Sequence, residues 1–376
     1  MISLEKSDIF RVLVSLIHAG LKKSRCSSDD ILPTASYTDK TPITVGGLEA
    51  DSIELLSLAG AVSRMFCLHE SGIEDYLLRY KTLGEWAEIV HQGMSREKIV
   101  FSTSGSTGSP KFCTHSWQNI EREIAGHARI FANSRRIVAA VAAHHIYGFL
   151  FTAALPRYMN LPVCDYFSLQ QKLTPGDLIV SFPVYWQYLN DTISHFPEDC
   201  YGVTSTSPCK PDLIRSLISK GLCRMTEIYG SSETGGVGLR HDHTQPYQLF
   251  SYLKKDAICL MDEMIWEDDT HFYPVRRKDG AVQIGGVNVF PDAVAQKIST
   301  HPSVKECGIR LIGNENDSRL KAFIVLSDGI SYSPETRRAI SEWLYTHLSA
   351  PERPVSLTFG AAIPRNDMGK EQDWEI

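Results

Sequence analysis

The sequence predicts a multidomain protein: an all-α four-helix segment over residues 1–95, an α/β core over 96–278 and a small α+β unit over 279–376. Three observations predict it. Apolar stripes at helical spacing fill the first hundred residues. From Lys98 short apolar runs alternate with helical stretches, the texture of a largely parallel sheet. After Gly280 two β-rich runs precede one amphipathic helix. A chain of 376 residues has room for about two to four domains.

In order, Ile9, Leu13, Val14, Ile17 and Leu21 lie on one helical face, with Gly20 near its end. A polar loop from about Ser24 to Ala50 follows. Helical patterns then run over Ser52–Cys67 and Thr82–His91. Ile99–Phe101, Ile137–Ala143 and Leu178–Phe182 read as buried strands. The apolar stretch Ile137–Leu155 is interrupted by His144 and His145, so it predicts a buried strand and helix rather than a membrane span. Cys307–Ile312 and Lys321–Leu326 read as strands, and Pro334–Leu348 as a helix with Ile340, Trp343 and Leu344 inward.

Composition excludes several classes. Hydrophobic residues are 43% and charged residues 22%, which rules out wholesale disorder. The net charge of −6 argues against a dedicated nucleic-acid binder. Nine scattered cysteines contain no C-x-x-C pair, so neither a zinc ribbon nor a disulfide framework is expected. The N-terminus lacks a signal-peptide layout, and a cytoplasmic protein is expected. Oligomeric state is not legible.

Thr103-Ser104-Gly105-Ser106-Thr107-Gly108-Ser-Pro-Lys111 follows a strand and precedes a helical stretch. Glycines let successive N–H groups converge and hydroxyls add donors, so the loop suits phosphate; a plain Ser/Gly surface loop suits the composition equally. It is no Walker loop, since Lys111 follows a proline and the glycines stand too close.

The segment resembles the phosphate-binding motif of the adenylate-forming acid ligases: acyl- and aryl-CoA synthetases, luciferases and peptide-synthetase adenylation domains. Further family motifs occur in order over 96–376. Tyr229-Gly-Ser-Ser232-Glu233-Thr is similar to Tyr-Gly-x-Thr-Glu. That resemblance implies that Tyr229 stacks on adenine, Ser232 contacts phosphate and Glu233 holds Mg²⁺; read alone, the segment is a strand running into a turn. Arg277-Lys-Asp279-Gly resembles the hinge region, implying Arg277 on ribose or α-phosphate and Asp279 as the pivot of a mobile lid. Asp262 stands where the family places a ribose-binding acid, although Leu260-Met261 replaces the usual Thr-Gly; a surface acid is the alternative. Pro364-Arg-Asn-Asp-Met-Gly-Lys370 resembles Pro-x-Thr-x-x-Gly-Lys, implying that Lys370 is the catalytic lysine, where an isolated lysine would be merely solvated. His144-His145-Ile-Tyr-Gly148 resembles the acid-binding motif, with His145 beside the substrate carboxylate; a core histidine pair is the alternative. No Asp in that stretch suits an α-amine, so a carboxylic acid without one is expected; His145, Tyr147 and Phe149 hint at an aromatic or medium-length apolar substrate, although aromatics on such a run are more often core.

Gly47-Leu-Glu-Ala-Asp51-Ser52-Ile-Glu54-Leu resembles the attachment site of acyl carrier proteins, implying 4′-phosphopantetheine on Ser52; a capping box formed by Asp51 and Glu54 is the local alternative. The phosphate loop begins soon after this segment, where the family usually has a further subdomain, so a reduced, truncated core is expected. The leading expectation is ATP- and Mg²⁺-dependent activation of a carboxylic acid, aryl or acyl, as its adenylate. Transfer to a phosphopantetheine thiol on a carrier protein, internal or separate, would follow. The alternatives are an acid–CoA ligase with a structural N-terminal domain, and a non-catalytic nucleotide- or acid-binding remnant.

Overall fold

The computed structural model describes residues 2–25, 34–103, 111–165, 173–258, 262–277, 280–313, 318–364 and 372–375. It divides into two compact units. The first takes in the described residues up to Ile258 together with Trp266–Tyr273. The second takes in Asp262–Ile265 and the described residues from Pro274 onward. Among the described residues no helix is long and apolar enough to cross a membrane.

The first unit opens with helices α1 (Lys6–Ser24), α2 (Ser52–Phe66), α3 (Tyr76–Arg79) and α4 (Leu83–Gly93). Their starts are set by local chemistry. The Glu5 N–H donates to Asp8 at 2.9 Å, Asp51 accepts from the Ile53 and Glu54 N–H groups at 2.8 Å each, and Thr82 accepts from Glu85. Cys67, left-handed at φ 55°, ends α2. The stripe Ile9, Val12, Leu13, Ile17 and Leu21 is buried as its spacing requires.

These helices do not stand apart as a carrier-like domain. Ile9, Leu13, Ile17, Phe66 and Trp86 belong to the same hydrophobic core as Phe101, Trp117, Phe149, Leu178 and Val203 of the α/β region. Each such side chain is worth about 1.5–3 kcal/mol when fully buried, so no boundary near residue 95 is visible in the packing. Polar contacts reinforce it: Arg157 pairs with Asp8 at 2.8 Å and with Glu5.

Strands β1 (Lys98–Thr103) and β2 (Lys111–Ser116) form an antiparallel hairpin in which Thr103 faces Lys111. The expected phosphate loop therefore joins two strands instead of leading into a helix. Helix α5 (Trp117–Ile130) starts later, capped by Ser116. Next come β3 (Arg136–Ala139), α6 (Ile146–Phe149), α7 (Leu155–Met159), β4 (Val163–Asp165), β5 (Asp177–Ser181), α8 (Pro183–Thr192), β6 (Tyr201–Thr204), α9 (Pro211–Ser219), β7 (Arg224–Ser231), β8 (Gly235–Arg240) and β9 (Tyr247–Leu249). A buried stretch of π-helix, Leu150–Ala154, joins α6 to α7.

The central sheet runs β4-β3-β5-β6-β7 in parallel, then continues antiparallel through β8 and β9. It is thus mixed rather than largely parallel. Leu178 and Val180 enter one core while Ile179 enters another with Trp186, Leu189, Leu213 and Leu217. That alternation is why β5 reads as an unbroken apolar run.

Strands β10 (Asp262–Trp266) and β11 (His271–Arg277) carry the chain into the second unit. There lie the hairpin β12 (Val282–Ile284) and β13 (Val287–Val289), α10 (Pro291–Ile298), β14 (Val304–Ile312), β15 (Arg319–Leu326), α11 (Pro334–His347) and β16 (Pro354–Phe359). Strand β15 pairs antiparallel with β14 and parallel with β16, over a core including Ile298, Ile309, Leu320, Ile324, Ile340 and Leu344. Trp374 is buried against Phe323, with ring centroids 5.4 Å apart.

Candidate active site

The turn between β7 and β8 carries Ser232 and Glu233. Two reciprocal bonds shape it: Ser231 N–H to Thr234 Oγ1 at 3.2 Å, and Thr234 N–H to Ser231 Oγ at 3.3 Å. Lys111 Nζ donates to Glu233 Oε1 at 2.8 Å, and His115 Nε2 donates to the Ser232 carbonyl at 2.7 Å. Residues more than a hundred positions apart, from the hairpin and from the turn, are thereby brought together. Partial burial pushes the Glu233 carboxyl up, but hydrogen bonds from Lys111, its own N–H and Ser231 outweigh this and hold its pKa below the usual value. Its side chain is 30% exposed and that of Lys111 55%. A pair so open to solvent contributes only about 0–1 kcal/mol, so both groups can be redeployed onto a phosphate and a cation at small cost.

Behind this turn stands Glu123, which sequence reasoning missed. It is buried on α5, and its Oε1 accepts from the Gly236 N–H at 2.8 Å. A Cβ on Gly235, whose φ is +71°, would lie 2.6 Å from Glu123 Oε2. The double glycine thus lets a carboxylate reach the first residues of β8 and fix the turn. The signal was present: Glu123 and His127 interrupt the buried face of α5 set by Ile120 and Ile124.

The stretch His144–Gly148 lies beside the same turn. Ile146 Cδ1 is 3.8 Å from the position of a Cβ on Gly235. His145 immediately precedes α6. It has solvent-open surface, yet enough protein surrounds it to lower its pKa by desolvation. Gly148 is required here, because a Cβ would fall 2.0 Å from the Ala142 carbonyl. Of the two readings open for Tyr147 and Phe149, substrate contact or core, the structure shows the core. The Tyr147 hydroxyl donates to the Ser181 and Val203 carbonyls, and Phe149 is fully buried against Phe101 and Trp117.

Tyr229 is half-buried, with Tyr247 and Phe272 at 5.6 and 5.5 Å between ring centroids. An aromatic wall of this kind suits a flat base. Asp262 opens β10 and Arg277 closes β11; both belong to the second unit. Ser52 is the exposed first residue of α2, preceded by Asp51, and Glu54 is held by Arg25 at 2.9 Å. Ser104, Gly105, Ser106, Thr107, Gly108, Asp279 and Lys370, and the side chains of Thr103 and Arg277, lie outside the described residues. Flanking Lys370, the Gln372 N–H donates to the Pro364 carbonyl at 2.8 Å. Among the described residues no three His, Cys, Asp or Glu side chains gather into a metal cluster. Mg²⁺ carried on a nucleotide needs only one or two protein carboxylates, and Glu233 fits that demand.

Residues 293–370 match the AMP-binding enzyme C-terminal domain. The chain is 35% identical to a 4-coumarate–CoA ligase of Halorhodospira halophila over 99% of its own length and 100% of that protein's. It is 36% identical to a 4-coumarate–CoA ligase of Rhodobacter capsulatus, over 97% and 99% of the two chains. The fold is similar to that of the o-succinylbenzoate CoA synthetase of Bacillus subtilis: TM-score 0.59, 16% identity, covering 82% of this chain and 79% of that one. It is also similar to the amide bond synthetase of Marinactinospora thermotolerans: TM-score 0.59, 13% identity, covering 96% and 92%. Both ligase matches run through the N-terminal helices as well as the α/β region. This protein belongs to the adenylate-forming acid ligases, among the acyl-CoA ligase type.

Proposed function

We propose that this protein activates an aryl acid of the 4-coumarate type with Mg·ATP and passes the acyl group to the thiol of CoA. The observation that carries this reading is the Glu233 turn: an ionised, accessible carboxylate paired with Lys111 and adjoining the His145 stretch. The choice of acid and of CoA is supported by similarity along the whole chain to ligases named for 4-coumarate.

In the first step a carboxylate oxygen of the acid attacks the α-phosphorus of ATP. The bond to the bridging oxygen breaks and pyrophosphate leaves. In the second step the thiolate attacks the acyl carbon and AMP departs. His145 orients the carboxylate, Lys111 and the loop of residues 103–108 hold phosphate oxygens, and Tyr229 stacks on adenine. Asp262 and Arg277 bind the ribose side of the nucleotide. Lys370, by family resemblance, stabilises the charge that develops at the α-phosphate, and Asp279 is the pivot for its withdrawal. Magnesium supplies charge neutralisation at the phosphates when bound, and Glu233 would hold it.

Acid-dependent ATP–pyrophosphate exchange across a panel of aryl and alkyl acids tests the first step; 4-coumarate is expected to lead the panel. Absence of exchange with every acid, despite nucleotide binding, would select the non-catalytic alternative. Lys370→Ala is expected to abolish exchange. Thioester formation with free CoA tests the acceptor. A mass increase on Ser52 after treatment with a phosphopantetheinyl transferase, with acyl loading there in preference to CoA, would select the carrier route instead.

A further inference from the structure

The middle of α1 reaches the acid-binding stretch. Ser15 Oγ lies 2.8 Å from His144 Nδ1, a contact between residues 129 positions apart. The His144 ring stands next to that of His145, with centroids 4.1 Å apart and planes inclined by 41°. Helix α1 is held firmly in place. Ile9, Val12, Leu13 and Ile17 are fully buried, Arg157 ties its first turn through Asp8 and Glu5, and Arg11 donates to the Val163 carbonyl at 3.4 Å.

Burial, reinforced by the neighbouring His145, lowers the pKa of His144 to about 3, so its ring is neutral in the working range. A neutral imidazole has one donor and one acceptor nitrogen, and a serine hydroxyl can meet either, so Ser15 satisfies Nδ1 in both tautomers and holds the rotamer of the ring. Because the two rings are in contact, the rotamer of His144 in turn limits that of His145.

We propose that Ser15 is a positioning residue of the acid site: through its bond to His144 it fixes the rotamer of that ring, and thereby the orientation of His145 toward the substrate carboxylate. The N-terminal helix is then a working part of the acid pocket. This rests on the reading of His145 as the residue beside the acid.

The test uses the full chain in ATP–pyrophosphate exchange, varying 4-coumarate and ATP separately, for the wild type, Ser15→Ala and Ser15→Thr. Ser15→Ala is expected to raise the KM for the acid about tenfold, the size of one lost hydrogen bond, while the KM for ATP and the melting temperature stay near wild type. Ser15→Thr, which keeps the hydroxyl, is expected to restore acid affinity. If Ser15→Ala does not fold, Ser15→Cys, slightly larger and only a weak hydrogen-bonding partner, carries the same comparison. An unchanged acid KM in an active Ser15→Ala protein overturns the proposal alone. So does an equal rise in the KM values for acid and ATP, or a Ser15→Thr protein as impaired as Ser15→Ala. A wild type with no acid-dependent exchange overturns the ligase reading, and the proposal with it.

Discussion

Two segments of the first unit resemble functional motifs, and the way each is held differs. The Ser231–Gly236 turn is fixed from a distance: Glu123 on α5 takes the Gly236 N–H, and His115 and Lys111 of the β1–β2 hairpin take Ser232 and Glu233. The segment around Ser52 is satisfied mostly close to home. Asp51 caps α2, Glu54 returns to the Asp51 N–H at 3.2 Å, and Arg25 clamps Glu54. A turn that exists to meet a ligand needs scaffolding it cannot supply itself, and its carboxylate stays accessible. A helix start needs only its own first turn. The contrast supports the proposed function, which places chemistry in the first segment and only helix initiation in the second.

The sharpest way to break this contrast is at Glu233. Glu233→Gln keeps size and hydrogen bonding but removes the charge that a hard cation needs, and exchange is expected to fall by at least ~100-fold. Steady-state exchange against free Mg²⁺ reads the effect. A variant within about threefold of wild type would deny Glu233 its role in binding the metal–nucleotide.

The next effect is at the scaffold. Glu123→Ala leaves the Gly236 N–H buried without its partner, a cost of about 1–3 kcal/mol, and frees the turn. The expected result is a lower melting temperature together with a raised KM for Mg·ATP. Glu123→Gln, which still accepts from Gly236, should recover most of both. If the KM for Mg·ATP stays at wild type while stability drops, Glu123 supports the fold and does not position the turn.

Much of this was legible in the sequence, in proportion to how local the cause is. The stripe Ile9–Leu21 and the run Leu178–Val180 announce a helix and a strand because spacing alone decides which face is buried. Spacing does not say against what. Hence the N-terminal helices read as a domain of their own, whereas their apolar faces enter the core of the sheet. Strand β2 was missed because Lys111–Ser116 is short and pairs back across a loop directly before a helix. Tyr147 and Phe149 left pocket and core both open, because identity does not reveal direction, and the structure puts them in the core. The Lys111–Glu233 and Ser15–His144 contacts join residues 122 and 129 positions apart, a relation no local pattern encodes.

The smallest effects are expected at the carrier-like segment. Ser52→Ala should leave exchange and CoA thioester formation unchanged, since the cap is supplied by Asp51. Glu54→Gln should cost about 1 kcal/mol of stability by weakening the Arg25 clamp, without altering any KM. The sign with pH follows from the carboxyl itself. The hydrogen bond from Arg25 is the largest influence and, despite opposing desolvation, lowers the Glu54 pKa from 4.5 to about 2. The folded-state pKa is depressed, so the stabilisation is present in full above the ordinary value and is lost as pH falls through 4.5 toward 2. Melting curves of wild type and Glu54→Gln should therefore differ by a constant amount from neutrality down to about pH 5.5 and converge below that. A gap that persists undiminished to pH 3.5 would mean that the clamp does not depend on the carboxylate charge. The difference between the two segments would then lie in geometry alone.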